Sequence, residues 1–271
     1  MIRGEANSRG AGGGKGTAAA QLALLAGASG FVGGYLLEAL LEAPDVGRIF
    51  AISRRPLGRE HPRIANRIVQ FDKLQSQLQG ITCHVALCCL GTTLRQAGSQ
   101  QEFRKVDFDY VLSFAAAAKA AQAQRFIVVS SVGANPQSRN FYLRTKGEME
   151  EAVQGVGFAS LDILQPSLLL GWRREIRPVE LFGSVFMPLI NPFLVGKREH
   201  WRAIPASTVA SAMVGAIRSG RRGVPHEGIY VWRAERTTPR SAGGWVSAAR
   251  QCATTCPTSL PNCRSATVRP Q

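Results

Sequence analysis

The sequence predicts an α/β fold built on a doubly wound parallel sheet. Short apolar runs alternate with longer helical patterns along most of the 271 residues, and this alternation is typical of β-α-β units around a parallel sheet. A glycine-rich stretch, GASGFVG at residues 27–33, directly follows the first apolar run and opens the first helical pattern. With 45% hydrophobic residues, a chain of this length can bury the core that one such domain needs.

Six apolar runs are predicted to be the strands: residues 22–26, 48–52, 67–71, 85–90, 126–130 and 161–164. The predicted helices are residues 31–42, the alanine-rich residues 101–122 and residues 142–153. Connections between parallel strands are right-handed, and ligands of such sheets bind beyond the carboxyl ends of the strands. Six residues that follow the strands should therefore meet at one edge: Gly27, Ser53, Asp72, Gly91, Ser131 and Pro166.

The glycine-rich turn has the strand–turn–helix context of a phosphate-binding loop. Gly27 suits the tight turn, Gly30 lets the backbone approach a pyrophosphate, and Gly33 lets the helix pack closely on the strand. The helix N-terminus would present free amides to the phosphates. The spacing is GxxGxxG, and a turn without a ligand is the alternative. The residues predicted to bind are Gly27, Ser29, Gly30, Phe31, Val32 and Gly33.

A second motif predicts proton transfer alongside a hydride. Tyr142 and Lys146 are four residues apart on a predicted helix, and Ser131 closes the run FIVVSS eleven residues before the tyrosine. On one helix face, the ammonium group can favour the ionised phenol. A free phenol titrates near pH ~10, so a tyrosine acting as an acid or base at neutral pH needs this help. The spacing also occurs by chance in helices that have no such role.

These two motifs, together with four other segments, resemble the short-chain dehydrogenase/reductase superfamily. More narrowly, the chain is similar to its atypical, Tat-interacting-protein-like and epimerase/dehydratase-like members, over about residues 21–232. The other segments are CCLGTTLRQAGSQ at 88–100, VSSVGA at 129–134, NFYLRTKGEMEEA at 140–152 and QPSLLLG at 165–171. The resemblance implies a Rossmann fold, a nicotinamide cofactor and a catalytic site of Ser131, Tyr142 and Lys146, with Ser130 as the less suitable serine.

The resemblance also implies contacts with the two ends of the cofactor. Asp72 would meet the adenine amino group, although an exposed loop aspartate can equally have no role. Leu90 and Gly91 close the fourth predicted strand and would lie against the adenosine half, where glycine permits a close approach. The nicotinamide carboxamide would be held by Pro166, Ser167 and Leu168. Gln165 precedes this proline where the family commonly has arginine, and a purely structural turn is the alternative.

The end of the second predicted strand indicates NADP rather than NAD. An NAD-selective enzyme usually has an acid there for the ribose hydroxyls, but this chain has Ser53, Arg54 and Arg55. Guanidinium groups form charge-assisted, often bidentate hydrogen bonds with phosphate, which suits a 2′-phosphate. Solvated surface arginines are the alternative.

The function that follows is an NADP-dependent oxidoreductase that acts on a carbonyl or alcohol substrate, lipophilic or sugar-like. Reduction, oxidation, epimerisation and dehydration all begin with the same exchange of hydride and proton, so the reaction type stays open. A non-catalytic NADPH-binding redox sensor is the first alternative. The net charge of +15 raises a second, a basic nucleic-acid or anionic-surface binder. Because the charge is spread along the chain, we expect no specific nucleic-acid partner.

The chain is expected to contain one folded domain between two unlike ends. Residues 1–20 should be a disordered extension, residues 21–232 the nucleotide-binding domain, and residues 233–271 an irregular tail. A small substrate-binding region is expected at about 171–205. Its apolar part, residues 181–195, suits a mobile lid, a homodimer contact, an interfacial membrane patch or ordinary core packing. No apolar run is long enough to span a bilayer and no signal-peptide segment is evident, so a cytoplasmic location is expected.

The six cysteines predict neither a disulfide framework nor a metal site. Those at positions 83, 88 and 89 fall in or beside a predicted buried strand, where reduced thiols are common and no catalytic role is expected. Those at positions 252, 256 and 263 lack a fourth nearby ligand and a zinc-ribbon spacing.

Overall fold

The structure, a computed structural model, describes residues 20–170, 204–219, 228–234 and 245–248. Within these residues, eight strands form one sheet in the order β10-β9-β6-β5-β4-β1-β2-β3, and β7 pairs with β8. The strands are β1 Gln21–Ala26, β2 Val46–Ser53, β3 Ile64–Ile68, β4 Val85–Cys88, β5 Arg125–Val129, β6 Ser160–Gln165, β7 Leu169–Leu170, β8 Ile204–Pro205, β9 Gly228–Ala234 and β10 Trp245–Ala248. Only β10 runs antiparallel to its neighbour in the large sheet.

Helices cover both faces of the sheet. They are α1 Phe31–Glu42, α2 Leu74–Gln77, α3 Leu94–Ala97, α4 Gln100–Arg104, α5 Tyr110–Ala120, α6 Phe141–Gln154 and α7 Ala206–Ser219. A 3₁₀ turn, Phe71–Lys73, precedes α2, and a π-helical turn, Lys105–Asp109, joins α4 to α5. This arrangement confirms the predicted doubly wound α/β fold.

The alternation of side chains along β1 divides the core into two layers. Leu24 points into the layer that holds Phe114 of α5 and Met149 of α6, whereas Leu25 points into the layer that holds Leu36 of α1 and Met213 of α7. All six side chains are completely buried. Successive strand residues face opposite sides of a sheet, so a buried parallel strand is apolar at every position. This explains why LALLA reads as a continuous apolar run.

Two predicted elements differ clearly from the structure, beyond shifts of one or two residues at the ends of other elements. The third strand lies at Ile64–Ile68 rather than at the predicted 67–71, because the buried Val69 follows the strand and the buried Phe71 packs from the 3₁₀ turn. The helix predicted at 101–122 is divided into α4, the π-helical turn and α5. A π turn places one extra residue between two helical repeats, and neither composition nor periodicity indicates it.

The ends of the chain are described only in part. Residues 1–20, apart from residue 20, lie outside the described residues, and so does almost all of the expected substrate region at 171–205. Within the tail expected to be irregular over 233–271, Trp245–Ala248 form β10 against β9. Cys252, Cys256 and Cys263 also lie outside the described residues.

Candidate active site

The glycine-rich turn lies where strand order reverses. β1 pairs with β2 on one side and with β4 on the other, and such a reversal opens the crevice in which dinucleotides bind. Gly27 has a φ of +85°, a conformation that favours glycine. A Cβ at Gly27 would lie 2.6 Å from the carbonyl oxygen of Cys89, and one at Gly33 would lie 1.9 Å from the carbonyl oxygen of Gly27. The turn therefore has no room for a side chain at either position.

The N-terminus of α1 opens from this turn. In the described part of the chain, no side chain caps Gly30, and the first turn of α1 has no acidic residue. Ser29 and Gly30 are exposed. The Gly30 amide donates to the carbonyl oxygen of Gly27 at 2.8 Å, so the positive end of the helix dipole is what favours a phosphate group at this terminus. Together with the close approach at Gly27, this geometry fits a nucleotide pyrophosphate.

The residues predicted to contact the adenosine half follow β2, β3 and β4. Arg54 and Arg55 are exposed, whereas Ser53 is buried and its hydroxyl donates a hydrogen bond to the carbonyl oxygen of Arg55 at 2.7 Å. Asp72 is exposed in the 3₁₀ turn, 3.8 Å from the ammonium group of Lys105. Leu90 and Gly91 come directly after β4, Leu90 partly buried and Gly91 exposed.

Tyr142 and Lys146 occupy the first two turns of α6. Asn140 caps this helix, since its side-chain oxygen accepts a hydrogen bond from the Leu143 amide at 3.1 Å. The ring of Tyr142 packs against the fully buried Phe103 of α4, with the ring centroids 5.6 Å apart. Tyr142 itself is only partly buried. The phenol is therefore oriented by packing and still reachable from outside.

Lys146 is held in place by an aspartate that the sequence analysis did not single out. Its ammonium nitrogen lies 2.7 Å from Oδ1 of Asp107, and the side chains are 5% and 1% exposed. Asp107 Oδ2 accepts a hydrogen bond from the Thr92 amide at 2.8 Å. A Cβ at Gly91 would lie 3.4 Å from Asp107 Oδ1 and 3.9 Å from Lys146 Nζ. The buried ion pair therefore lies at the carboxyl end of β4, at the edge of the sheet that holds the glycine turn.

The ion pair determines the charge of the lysine. Burial by itself would lower the pKa of Lys146, but the charge of Asp107, the nearby Tyr142 and a hydrogen bond to Asp107 outweigh it, so the pKa is raised. Lys146 is consequently an ammonium ion at neutral pH. A fixed positive charge therefore lies one helical turn after Tyr142.

Ser131 and Pro166 are brought together by two loops that continue the pairing of β5 with β6. The Ser130 amide donates to the carbonyl oxygen of Leu164 at 2.7 Å, and the Val132 amide to that of Pro166 at 2.9 Å. The Ser131 hydroxyl makes only a long contact of 3.4 Å with the carbonyl oxygen of Val132 among the described residues. Contacts this long are weak, so the hydroxyl can turn towards another acceptor. Ser130 is buried.

Two further predicted residues follow Pro166. Ser167 is partly buried and Leu168 is half exposed, at 50%. Gln165, at the end of β6, donates hydrogen bonds to both carboxylate oxygens of Glu150, at 2.9 and 3.0 Å. The amide at this position thus joins β6 to α6, the helix that carries Tyr142 and Lys146.

Asp107 is the main residue that sequence reasoning missed. The available signal was a carboxylate inside an alanine-rich crossover helix, but Asp109, two residues later, gives the same signal and is exposed. Only the π-helical turn and a contact across 39 positions of sequence, from Asp107 to Lys146, distinguish the two. Phe103 was missed for a similar reason, because its contact with Tyr142 is equally distant in sequence.

The thiols near the site are not activated. Burial raises the pKa of Cys83 and of Cys88 to about 12, and burial also raises that of Cys89. A thiolate is the reactive form of cysteine, so these side chains remain protonated at neutral pH.

The sequence of this chain is similar to those of known proteins. A model of the NAD dependent epimerase/dehydratase family matches residues 23–153. The rat protein HTATIP2 is 37% identical over 198 residues, which is 71% of this chain and 79% of the relative. The protein fmp52 of Emericella nidulans is 34% identical over 221 residues, 77% of this chain and 92% of the relative.

The chain belongs to the NAD dependent epimerase/dehydratase family.

The similarity to solved structures agrees with the family. The enzyme WbmH of Bordetella bronchiseptica, solved with NAD⁺, superposes with a TM-score of 0.58 at 14% identity, over 80% of this chain and 76% of that one. A dTDP-4-dehydrorhamnose reductase of Bacillus anthracis, solved with NADP, gives 0.56 at 16% identity, over 81% and 76%. At these identities the superpositions establish the Rossmann fold. The recognition of an NAD(P)-binding short-chain dehydrogenase/reductase-like chain is confirmed.

The predicted cytoplasmic location is wrong. The fungal relatives of Emericella nidulans, Aspergillus clavatus, Aspergillus fumigatus and Aspergillus niger are named mitochondrial proteins. The prediction depended on the lack of an apolar signal segment, but mitochondrial transit peptides are amphipathic, arginine-rich and poor in acids rather than apolar. The described residues include no helix both long and apolar enough to cross a membrane.

Proposed function

We propose that this chain is an NADP-dependent oxidoreductase that exchanges a hydride and a proton with a carbonyl or alcohol substrate, with Ser131, Tyr142 and Lys146 as its catalytic residues. The observation that carries the proposal is the buried Lys146 ammonium group, 2.7 Å from Asp107 and one helical turn after a partly accessible Tyr142. Burying a lysine is costly unless its charge is paired, and here the paired ammonium group lies beside a phenol that is accessible from outside.

Each catalytic side chain has a distinct role in this proposal. Tyr142 gives a proton to the substrate oxygen, or takes one from it, with Phe103 fixing the direction of the ring. The Ser131 hydroxyl donates a hydrogen bond to the same oxygen. Lys146 places its positive charge beside the phenol and would hold the nicotinamide ribose. When bound, the nicotinamide supplies or accepts the hydride.

The nucleotide site combines the crevice at the glycine turn with the residues after the other strands. The pyrophosphate would lie against the turn and the start of α1, at Gly27, Ser29, Gly30, Phe31, Val32 and Gly33. The adenosine half would lie against Leu90, Gly91 and Asp72, and the nicotinamide against Pro166, Ser167 and Leu168. Ser53, Arg54 and Arg55 would surround the ribose. Two exposed guanidinium groups without a carboxylate partner in the described residues support a 2′-phosphate.

The substrate proposed is a small molecule with a carbonyl or secondary alcohol, lipophilic or sugar-like. Support for a sugar-like group comes from fold neighbours solved with UDP-glucose or UDP-glucuronic acid, together with NAD. A mitochondrial location is proposed from the names of the fungal relatives.

Calorimetric titration tests the nucleotide half of the proposal. We expect the wild-type chain to bind NADPH more tightly than NADH, and the Arg54→Ala, Arg55→Ala double variant to lose that preference while keeping its affinity for NADH. Replacing the exposed Arg48, on β2, by alanine is the matched control and should leave both affinities unchanged. Failure of the wild-type chain to bind either nucleotide would refute the proposed function.

A further inference from the structure

The loop that carries Arg54 and Arg55 is tied down by a side chain from the neighbouring strand. Asn66 lies in β3 opposite Ala51 of β2, and it is partly buried. Its amide nitrogen donates to the carbonyl oxygen of Ala51 at 2.9 Å and to the hydroxyl of Ser53 at 2.7 Å. Its amide oxygen accepts a hydrogen bond from the Leu57 amide at 3.1 Å. One side chain thus holds both ends of residues 53–57.

Ser53 extends this network to the arginines themselves. Its hydroxyl accepts from Asn66 and donates to the carbonyl oxygen of Arg55 at 2.7 Å. Beyond the loop, Gly58 adopts a φ of +63°, and the guanidinium group of Arg59 pairs with Glu38 of α1. The backbone of Arg55 is therefore fixed from inside, while its side chain remains exposed.

The electrostatics of this loop are also favourable to an anion. The segment from residue 53 to residue 59 contains three arginines and no acid. Arg59 is occupied by Glu38, whereas Arg54 and Arg55 have no carboxylate partner within the described ranges. A rigid backbone beneath two unpaired guanidinium groups reduces the ordering cost of binding a phosphate.

We propose that Asn66 is a positioning residue that determines nucleotide specificity, because it holds the 53–57 loop in the shape that presents Arg54 and Arg55 to the 2′-phosphate of NADP. The inference rests on the proposed function. It assigns the preference for NADP to a side chain that does not touch the phosphate. An arginine pair on a loose loop would retain its charge but lose much of its selectivity.

The test compares nucleotide affinities in variants that leave both arginines in place. Asn66→Ala removes all three hydrogen bonds of the amide, and Ser53→Ala removes only the hydroxyl that joins Asn66 to Arg55. His61→Ala is the matched control, since His61 Nδ1 accepts from the Arg63 amide farther along the same connection. NADPH, NADH, adenosine 2′,5′-bisphosphate and 5′-AMP are titrated by calorimetry, and folding is checked by circular dichroism.

We expect Asn66→Ala to weaken the binding of NADPH and of the bisphosphate about tenfold while the binding of NADH and 5′-AMP stays unchanged, and Ser53→Ala to lower the ratio of NADPH to NADH affinity. The His61 variant should match the wild type. The inference is overturned if Asn66→Ala keeps the wild-type ratio of NADPH to NADH affinity. Equal weakening of the binding of both nucleotides, which a merely structural role would produce, is one such outcome. If Asn66→Ala does not fold, Ser53→Ala decides by the same ratio.

The Arg54→Ala, Arg55→Ala variant separates this inference from the proposed function. If that variant loses the preference for NADPH while Asn66→Ala and Ser53→Ala retain it, the NADP site is correct and the role of Asn66 is wrong. If the wild-type chain has no preference for NADPH, both are wrong.

Discussion

Replacing Asp107 by asparagine is a direct probe of the buried ion pair. The amide has nearly the shape of the carboxylate, and its oxygen can still accept a hydrogen bond, but the charge 2.7 Å from the Lys146 ammonium nitrogen is lost. Removing one partner of a buried pair costs about 3–5 kcal/mol because it leaves an uncompensated charge. The side chains of Lys146 and Asp107 are 5% and 1% exposed, so water cannot hydrate the charge that is left unpaired. We expect a loss of about 3 kcal/mol in the free energy of unfolding at about pH 7.

The stability loss of Asp107→Asn should depend on pH in a definite direction. In the wild-type chain the pKa of Lys146 is raised, so its contribution to stability is complete below the usual pKa of lysine and is lost only as the pH rises through the raised value. Without Asp107, burial would lower the pKa of Lys146, and the unfolded chain would then bind more protons than the folded one. The stability of the variant should therefore rise with pH, and the difference from wild type should shrink between about pH 7 and about pH 9.5.

Urea denaturation followed by circular dichroism at both pH values measures the difference. Asp109→Asn is the matched control, since Asp109 lies in the same π-helical turn and is exposed; its free energy of unfolding should stay within about 0.5 kcal/mol of wild type. A loss of less than about 0.5 kcal/mol in Asp107→Asn at about pH 7, or a difference that does not change with pH, would refute the reasoning.

Three more substitutions test the local geometry. Gly27→Ala puts a side chain at a φ of +85°, with its Cβ 2.6 Å from the Cys89 carbonyl oxygen. We expect the free energy of unfolding to fall by at least about 1–2 kcal/mol and NADPH binding in calorimetry to be abolished. Unchanged NADPH binding would contradict the argument that the backbone approaches the phosphates closely at Gly27. Gly147→Ala would place a Cβ 2.3 Å from Pro136 N, so a net loss of about 2 kcal/mol in urea denaturation is expected, and a more stable variant would disprove it. Asn140→Ala should lower the free energy of unfolding by about 1 kcal/mol in the same assay, whereas Asn140→Ser should leave it nearly unchanged. Equal losses in the two variants would exclude a capping role for Asn140.

The sheet and the glycine turn could be predicted because local sequence determines them. The run LALLA, the turn GASGFVG and the helix that follows are contiguous, and each has the composition that its backbone conformation requires. β1 and α1 accordingly lie at Gln21–Ala26 and Phe31–Glu42, close to the predicted 22–26 and 31–42. The positive φ of Gly27 is likewise determined by the local sequence of the turn.

Contacts between distant segments could not be predicted in the same way. Asp107 approaches Lys146 only because a π-helical turn interrupts the predicted crossover helix. Asn66 is an ordinary polar residue of an edge strand until its pairing with Ala51 places it beside the 53–57 loop. The strand β10 is only four residues long, and it joins the sheet by pairing with β9. In each case the deciding interaction joins residues that are well separated in the chain.

Turnover by the Tyr142→Phe variant tests the central claim most directly. NADPH oxidation would be followed with a panel of lipophilic aldehydes and ketones and a 4-keto sugar nucleotide, with Tyr110→Phe, whose ring stacks on Phe71, as the matched control. We expect the wild type and the control to turn over at least one substrate, and Tyr142→Phe to lose about 100-fold or more in kcat with its NADPH affinity intact. Equal kcat in wild type and Tyr142→Phe would contradict proton transfer by Tyr142, and NADPH binding without turnover by the wild type on any substrate would favour the redox-sensor alternative.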